Sequence, residues 1–254
     1  MTDLESESGL IETIAERRSV RLIALAEQKC PRDTESTGEL HDWRVAGPAL
    51  LLRAARSLSA MFVLRPGAYD ADASVLLRIV FESVASFAWL AIDPIKHGPV
   101  WVKSDFRQRL AAHRELSVVG DEDVIDAESV RYFEEYVARV SGELPKPQQL
   151  ARAADDHWHR RLAGHPKFDA RGSFSDMYRI TYRHSSKFAH PTPMGLQPFV
   201  RRFANGKAVF TREHPTASSP YAYAPFVFGI GLRVASIALG WPTLEAIDDA
   251  IGDD

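Results

Sequence analysis

The chain has 254 residues, 45% of them hydrophobic and 26% charged, which is typical of a folded protein and argues against a disordered one. A net charge of −3 and an isoelectric point near 6.3 argue against a globally basic nucleic-acid binder of the histone or ribosomal kind. Cys30 is the only cysteine, which excludes an intrachain disulfide, and the acidic first residues lack the features of a secretory signal, so a cytoplasmic protein is expected.

Apolar residues recur every three or four positions along most of the chain, which is the spacing of helices that bury one face. Prolines, glycines and capping residues divide this pattern into segments. Asp70 or Asp72 is expected to cap the third predicted helix, and Ser104 the fourth. The predicted helices span residues 10–27, 48–64, 75–92, 106–118, 124–140, 148–162, 226–239 and 243–251, and a further helix begins at Ser173 or Ser175 and ends before Pro191.

Residues 199–211 depart from the helical spacing. Two β-prone runs flank Asn205-Gly206, a pair that suits both central positions of a two-residue hairpin turn. The sequence therefore predicts one mainly helical domain over residues 1–254, a helical bundle with one small β-hairpin. Residues 1–42 are a candidate N-terminal helical extension of that bundle.

The most apolar late segment, residues 221–241, has about the length of a membrane span. Arg233 interrupts it, and Pro225, Gly229 and Gly231 lie within it. A helix buried inside the protein is therefore expected, and no membrane association.

The stretch of residues 176–191 is the best functional lead, because helical spacing gathers its ionisable residues on one side. At about 100° per residue, a helix brings together within about 60° Arg179, Arg183, Ser186 and His190. The other flank carries Met177, Ile180, Thr181 and Phe188 and is expected to pack. An arginine supplies a permanent cation and a histidine a group that titrates near neutrality, which together suffice to bind a phosphate and move a proton beside it.

The charge around this stretch is uneven. Residues 171–212 contain eight lysines and arginines, and Asp176 is the only acidic residue among them. A polyanion can therefore be bound locally even though the whole chain is slightly acidic.

Two arginine–histidine pairs here have the spacing R-x(4 to 6)-H, namely Arg179 with His184 and Arg183 with His190. The spacing alone is weak, because pairs elsewhere in the chain match it too. Geometry favours Arg183 and His190, which lie seven residues apart and nearly eclipsed around the helix axis, whereas His184 projects toward the apolar flank.

Neighbouring side chains would support such a site. Ser186 lies one turn before His190 and can orient its ring, and either Tyr178 or Tyr182 can add a hydroxyl. In the alternative interpretation, Arg183 makes a surface ion pair and His190 caps a helix end.

At these residues the chain resembles the HEPN superfamily, whose ribonucleases carry an R-x(4 to 6)-H motif late in a helical bundle, and uncharacterised bacterial helical families with a similar ending. Arg183 matches the motif arginine, His184 the polar position that often follows it, and His190 the motif histidine. The match covers this segment plus the all-helical pattern. The chain departs from it in its length, in Pro191 and Pro193 directly after the motif, and in the hairpin and helices that follow.

The resemblance implies RNA cleavage without a metal or other cofactor, at a site that the two protomers of a homodimer complete. It also implies a toxin or antiviral effector, with a protein antitoxin or regulator as a candidate partner. In that reaction Arg183 would hold the scissile phosphate while His190 moves a proton during attack by the RNA 2′-hydroxyl. Whether the chain is an enzyme stays open, because a non-catalytic helical protein that binds a partner or an anionic ligand is the alternative.

Two further groups of charged residues are candidates. Arg78 and Glu82 lie four apart in an apolar helix, so they form either the wall of a polar pocket or a structural ion pair. Asp155 and His159 share a helical face with metal-ligand chemistry, but no paired Glu-x-x-His motifs accompany them. A metal-dependent hydrolase is therefore the third hypothesis, and no metal ligands are assigned.

Overall fold

The computed structural model describes residues 2–29, 43–67, 69–118, 125–162, 173–186, 188–189, 200–202, 208–210 and 219–252. Helices dominate these residues, so the mainly helical fold class is confirmed. The α-helices are α1 (Thr2–Lys29), α2 (Trp43–Leu64), α3 (Asp70–Leu90), α4 (Pro94–Val118), α5 (Ala127–Arg139), α6 (Pro147–Leu162), α7 (Phe174–Met177), α8 (Arg183–Ser185), α9 (Pro220–Leu239) and α10 (Leu244–Ile251). A 3-10 turn (Arg65–Gly67) follows α2, and a π-helical turn (Tyr178–Tyr182) joins α7 to α8.

Helix α3 lies at the centre of the bundle, in contact with α2, α4, α6, α9 and the segment from α7 to α8. Its sequence is apolar on nearly every side, as expected for a helix surrounded by others, and Leu77, Phe81 and Phe87 are almost completely buried. Helix α9 approaches so closely that a Cβ atom at Gly231 would stand 2.9 Å from Cγ2 of Val84. A larger residue at position 231 would therefore force Val84 or one of the two helices to move.

Helix α1 packs against α2, α9 and α10. Its buried residues recur every three or four positions along one face and are Ala15, Ser19, Leu22 and Ala26. After the end of α2, Arg65 reaches back to α1 and donates from Nε to Glu12 Oε2 at 3.3 Å and from Nη2 to Thr13 Oγ1 at 3.2 Å. The helix expected as a candidate extension thus packs along the body of the bundle.

Helix α4 begins at Pro94, so its predicted start after Ser104 is wrong. Proline suits the first turn of a helix, where its missing N–H would have no intrahelical partner anyway. Asp93 Oδ1 accepts a hydrogen bond from the N–H of Lys96 at 3.1 Å and stabilises the same turn. Pro94, which follows the predicted helix of residues 75–92, is thus the start of the next helix, and Ser104 lies inside that helix.

The N-terminal caps of α3 and α7 can be compared with the predicted ones. Tyr69 occupies the N-cap position of α3 and makes no side-chain cap hydrogen bond, so a cap by Asp70 or Asp72 is wrong. Both aspartates lie in the first turn, where a negative charge interacts favourably with the helix dipole. Ser173 is the N-cap of α7 and accepts from the N–H of Asp176 at 3.1 Å, which confirms one of the two predicted caps there.

Two short strands precede α9 in the chain. β1 (Val200–Arg202) and β2 (Ala208–Phe210) pair antiparallel, with Val200 opposite Phe210 and Arg202 opposite Ala208. Because Arg202 pairs with Ala208, five residues lie between the paired positions, an odd number that the predicted two-residue turn at Asn205-Gly206 does not fit without a bulge. Those five residues lie outside the described residues.

Three helices, α2, α3 and α9, are long and apolar enough to cross a membrane by length and composition. The same three helices pack against one another in the bundle. Within the most apolar stretch of 18 residues in each helix, the buried share is 44% in α2, 67% in α3 and 61% in α9. Packing in the core is therefore a sufficient physical reason for the apolar character of α3 and α9.

Candidate functional site

The segment from α7 to α8 is attached to α6 where it begins. The two carboxylate oxygens of Asp155 in α6 accept hydrogen bonds from the backbone N–H groups of Phe174 at 2.7 Å and Ser175 at 2.9 Å. Ser173 accepts from the N–H of Asp176 in the same turn. Three of the N–H groups that a helix start leaves without an intrahelical partner are thus satisfied, which fixes where the segment enters the bundle.

The middle of the segment is π-helical, and the N–H of Arg183 donates to the carbonyl oxygen of Tyr178, five residues earlier. A π-helical turn holds more residues than an α-helical turn, so side chains rotate away from the positions that α-helical spacing predicts. Ile180, which that spacing places on the packing flank, is 42% exposed. The prediction for Ile180 is therefore wrong, and the π-helical turn is the reason.

One face of the segment is buried where it packs against α3 and α6. This face consists of Phe174, Met177, Thr181 and Ser185, none of which is more than 6% exposed. The hydroxyl of Thr181 donates to the carbonyl oxygen of Met177 at 2.5 Å, so the buried polar group has a partner. Burial of this face therefore helps to hold the segment in one orientation.

Two arginines occupy the exposed face. The side chain of Arg179 is 71% exposed, and its Nη1 lies 3.5 Å from Oδ1 of Asp176, a weak surface pair. Arg183, four residues later, is exposed and has no hydrogen-bond or ion-pair partner in the described part of the chain. Both guanidinium groups are accessible to an anionic group from solvent.

On the inner side, Arg78 and Glu82 of α3 form a polar contact with Tyr182 of the π-helical turn. Arg78 donates from Nε to Glu82 Oε1 at 3.1 Å and from Nη2 to the Tyr182 hydroxyl at 3.2 Å. Its Cζ also lies 4.8 Å from the centroid of the Tyr182 ring, in a cation–π contact. One guanidinium therefore binds both the acid on its own helix and the segment that carries the exposed arginines.

Aromatic rings hold Tyr182 as well. Tyr178 stacks on it with ring centroids 5.1 Å apart, and the Phe81 centroid lies 5.8 Å away. Burial raises the pKa of the Tyr182 phenol above its usual 10.0, with Glu82 raising it further and Arg78 lowering it. The phenol is therefore protonated at neutral pH and can donate a hydrogen bond while it accepts one from Arg78.

Residues 46–208 match the sequence profile of a family of unknown function, DUF5677, and this range is more than half of the chain. The chain belongs to this family. Comparison with curated proteins and with solved structures finds no match. The range that defines this DUF5677 protein contains most of α2, helices α3 to α8 and β1, whereas α1, α9 and α10 lie outside it.

For this DUF5677 protein, the pairing of Arg183 with His190 stays a prediction, because His190 and the side chain of His184 lie outside the described residues. Among the described residues, Arg179 and Arg183 share the exposed face. Ser186 is half-buried, and its N–H donates to the carbonyl oxygen of Tyr182 at 2.9 Å.

Arg78 and Glu82 form an ion pair, which was one of the two predicted alternatives. Arg78 of this pair contacts the segment through the hydroxyl of Tyr182. Tyr182 directly precedes Arg183 in the chain and is half-buried, whereas Arg183 is exposed. In this DUF5677 protein, Arg78 therefore contacts the inner side of the turn that carries the exposed arginines.

Asp155, a candidate metal ligand by sequence, caps the start of α7 in the structure. Both of its oxygens accept backbone N–H groups, and among the described residues no group of three or more His, Cys, Asp or Glu could hold a metal ion. No local pattern could have revealed this cap, because the capped turn begins 19 residues after Asp155.

Proposed function

We propose that this protein binds RNA on the exposed face of the segment from α7 to α8 and cleaves it without a metal ion. The observation that carries the proposal is the division of this segment into two faces. Met177, Thr181 and Ser185 are buried, whereas Arg179 and Arg183 are directed to solvent. Guanidinium groups on a fixed backbone suit RNA phosphates, since each can donate two parallel hydrogen bonds to phosphate oxygens.

In the proposed reaction Arg183 binds the non-bridging oxygens of the scissile phosphate and offsets the charge that develops there. Neutral His190 accepts the proton of the 2′-hydroxyl as the 2′-oxygen forms its bond to phosphorus. The bond from phosphorus to the 5′-oxygen breaks, and the protonated imidazole returns the proton to that leaving oxygen. The products are a 2′,3′-cyclic phosphate and a free 5′-hydroxyl.

The contact of Arg78 with Tyr182 supports the proposal because catalysis and tight binding need fixed groups. The hydrogen bond and the cation–π contact hold the turn directly before Arg183. The wider proposal, from the resemblance to HEPN proteins, is a cytoplasmic homodimer that acts as a toxin or antiviral effector and is controlled by a protein antitoxin or regulator.

A second function is non-catalytic binding of an anion or of an acidic partner by the same two arginines. Their exposure favours it directly, because binding needs only Arg179 and Arg183, whereas cleavage needs His190 as well. A metal-dependent hydrolase that uses Asp155 and His159 stands third, since both oxygens of Asp155 are already engaged.

The test is incubation of purified protein with total RNA and with a short labelled RNA in EDTA. We expect wild type to release 2′,3′-cyclic phosphate ends and His190→Ala to cleave about 100-fold more slowly or worse while still binding. Arg183→Gln should weaken both activities. Arg131→Gln, at an exposed arginine of α5, is the matched control and should behave as wild type.

Three outcomes separate the hypotheses. Equal cleavage by wild type and His190→Ala would remove the proposed role of His190. RNA binding without cleavage in wild type would favour the non-catalytic function. Cleavage that EDTA abolishes would favour the metal-dependent one.

A further inference from the structure

A cavity of about 410 Å³ lies between α2, α3, α4 and the chain leading into α6, away from the exposed arginines of the proposed RNA site. Leu50, Trp101 and Leu150 line it together with prolines 145 and 147. Its volume falls within the range of roughly 300–1,000 Å³ that small-molecule sites occupy. The lining is mixed, because it combines these apolar side chains with polar and charged ones.

The outer wall of the cavity is held in place by a buried lysine. Lys103 of α4 donates from Nζ to the carbonyl oxygens of Val140 at 2.7 Å and Gly142 at 3.0 Å, and it pairs with Glu143 Oε1 at 3.3 Å. Its side chain is only 8% exposed. These bonds fix the chain directly before Leu144 and the two prolines, so the cavity is formed before any ligand arrives.

Three polar side chains on the lining have no partner among the residues that the structure describes. The guanidinium of Arg53, the hydroxyl of Ser86 and the amide of Gln108 make no hydrogen bond or ion pair within the described part of the chain. Glu82 also lines the cavity, and its Oε1 is engaged by Arg78. Because Arg78 compensates the charge of Glu82, Arg53 is left as the uncompensated charge on the wall.

We propose that this cavity binds a small organic anion with a planar ring. The anionic group pairs with Arg53, since a guanidinium donates two parallel hydrogen bonds to a carboxylate or phosphate. The ring lies against Trp101 and the neighbouring apolar side chains, where its burial is favourable. Gln108 and Ser86 give the ring hydrogen-bonding partners.

Calorimetric titration of the full chain tests this, with guanosine 5′-monophosphate, indole-3-acetate and inorganic phosphate as separate probes. We expect at least one ring-bearing anion to bind with Kd of about 1 mM or tighter. Arg53→Gln should weaken that binding about tenfold or more, as should Trp101→Leu. Inorganic phosphate should bind far more weakly, because it gains nothing from the apolar lining.

Matched controls make the result specific. Arg56→Gln, at an exposed arginine of the same helix that does not line the cavity, should leave the affinity unchanged. Arg53→Gln should bind and cleave RNA as wild type does, so that failure of the RNA proposal and failure of this one are distinguished.

The proposal is overturned if neither ring-bearing anion binds, or if inorganic phosphate binds equally well. It is also overturned if Arg56→Gln weakens binding as much as Arg53→Gln does. Since Arg53 is exposed, its variant is expected to fold, and an unchanged thermal melting curve verifies this.

Discussion

The carboxylate of Asp155 accepts the backbone N–H of Phe174 at 2.7 Å, which joins the middle of α6 to the start of the segment that carries Arg179 and Arg183. Its other oxygen accepts the N–H of Ser175 at 2.9 Å. One side chain thus sets where the proposed RNA-binding face begins.

Replacement of Asp155 by alanine should lower the free energy of unfolding by about 1–2 kcal/mol, because two N–H groups at the start of α7 lose their acceptor. Urea denaturation measures this change. Asp156→Ala, at the exposed neighbouring position, is the control and should change stability by less than about 0.5 kcal/mol. Thermal stabilisation by zinc or manganese that disappears only in Asp155→Ala would show that Asp155 is a metal ligand instead.

The contact between Arg78 and Tyr182 should appear as an energetic coupling. In a double-mutant cycle with Arg78→Met and Tyr182→Phe, we expect the two losses of stability to be non-additive by about 1 kcal/mol, since either change removes the hydrogen bond. Tyr132→Phe on α5 is the control partner and should combine additively with Arg78→Met. Additive losses for Arg78 and Tyr182 would mean that their contact contributes nothing to stability.

The ion pair between Arg233 in α9 and Asp248 in α10 is almost fully buried, with Nη2 and Oδ1 3.0 Å apart and side chains 9% and 11% exposed. Asp248→Ala should cost about 3 kcal/mol or more in unfolding free energy, because it leaves the Arg233 charge in the interior without its acid. The double variant Arg233→Met with Asp248→Ala should recover part of this loss.

Chemical denaturation of both variants measures the difference, with Asp249→Ala at an exposed neighbouring position as the control. A double variant less stable than Asp248→Ala alone would show that the arginine stabilises the fold without its partner.

The pKa of His157 should lie below the usual value for a histidine. Partial burial lowers the pKa of His157 below 6.5, and the charges of Arg161 and Arg160 lower it further. The folded state therefore disfavours the protonated ring, so the stability linked to this group is present above pH 6.5 and is lost as the pH falls through the lowered pKa. The effect on stability is small, since the ring is only half-buried.

An NMR titration, with the signal assigned by its absence in His157→Gln, measures this pKa. Arg161→Gln should move the midpoint upward, because one of the two neighbouring positive charges is removed. A wild-type midpoint at or above 6.5 would contradict the prediction.

Local sequence patterns were sufficient for several helices. The predicted helix over residues 148–162 became α6 (Pro147–Leu162), and Thr243 caps α10 by accepting the N–H of Ala246 at 3.2 Å. Apolar spacing and caps are properties of a few consecutive residues, so the sequence displays them directly. Pro94 was misjudged because a proline is compatible with both the end of one helix and the start of the next.

The sequence by itself determined that the chain is mainly helical, since the spacing of apolar side chains along a helix is a local property. Arg179 and Arg183, which it placed on one side of their helix, are both exposed. Only the tertiary structure decided that Asp155 caps the segment and that Arg78 binds Tyr182, 104 residues away. It also brought Arg53 and Trp101 to one cavity. Such contacts depend on how α2, α4, α6 and the π-helical turn pack around α3. A pattern of neighbouring residues in the sequence does not predict that arrangement.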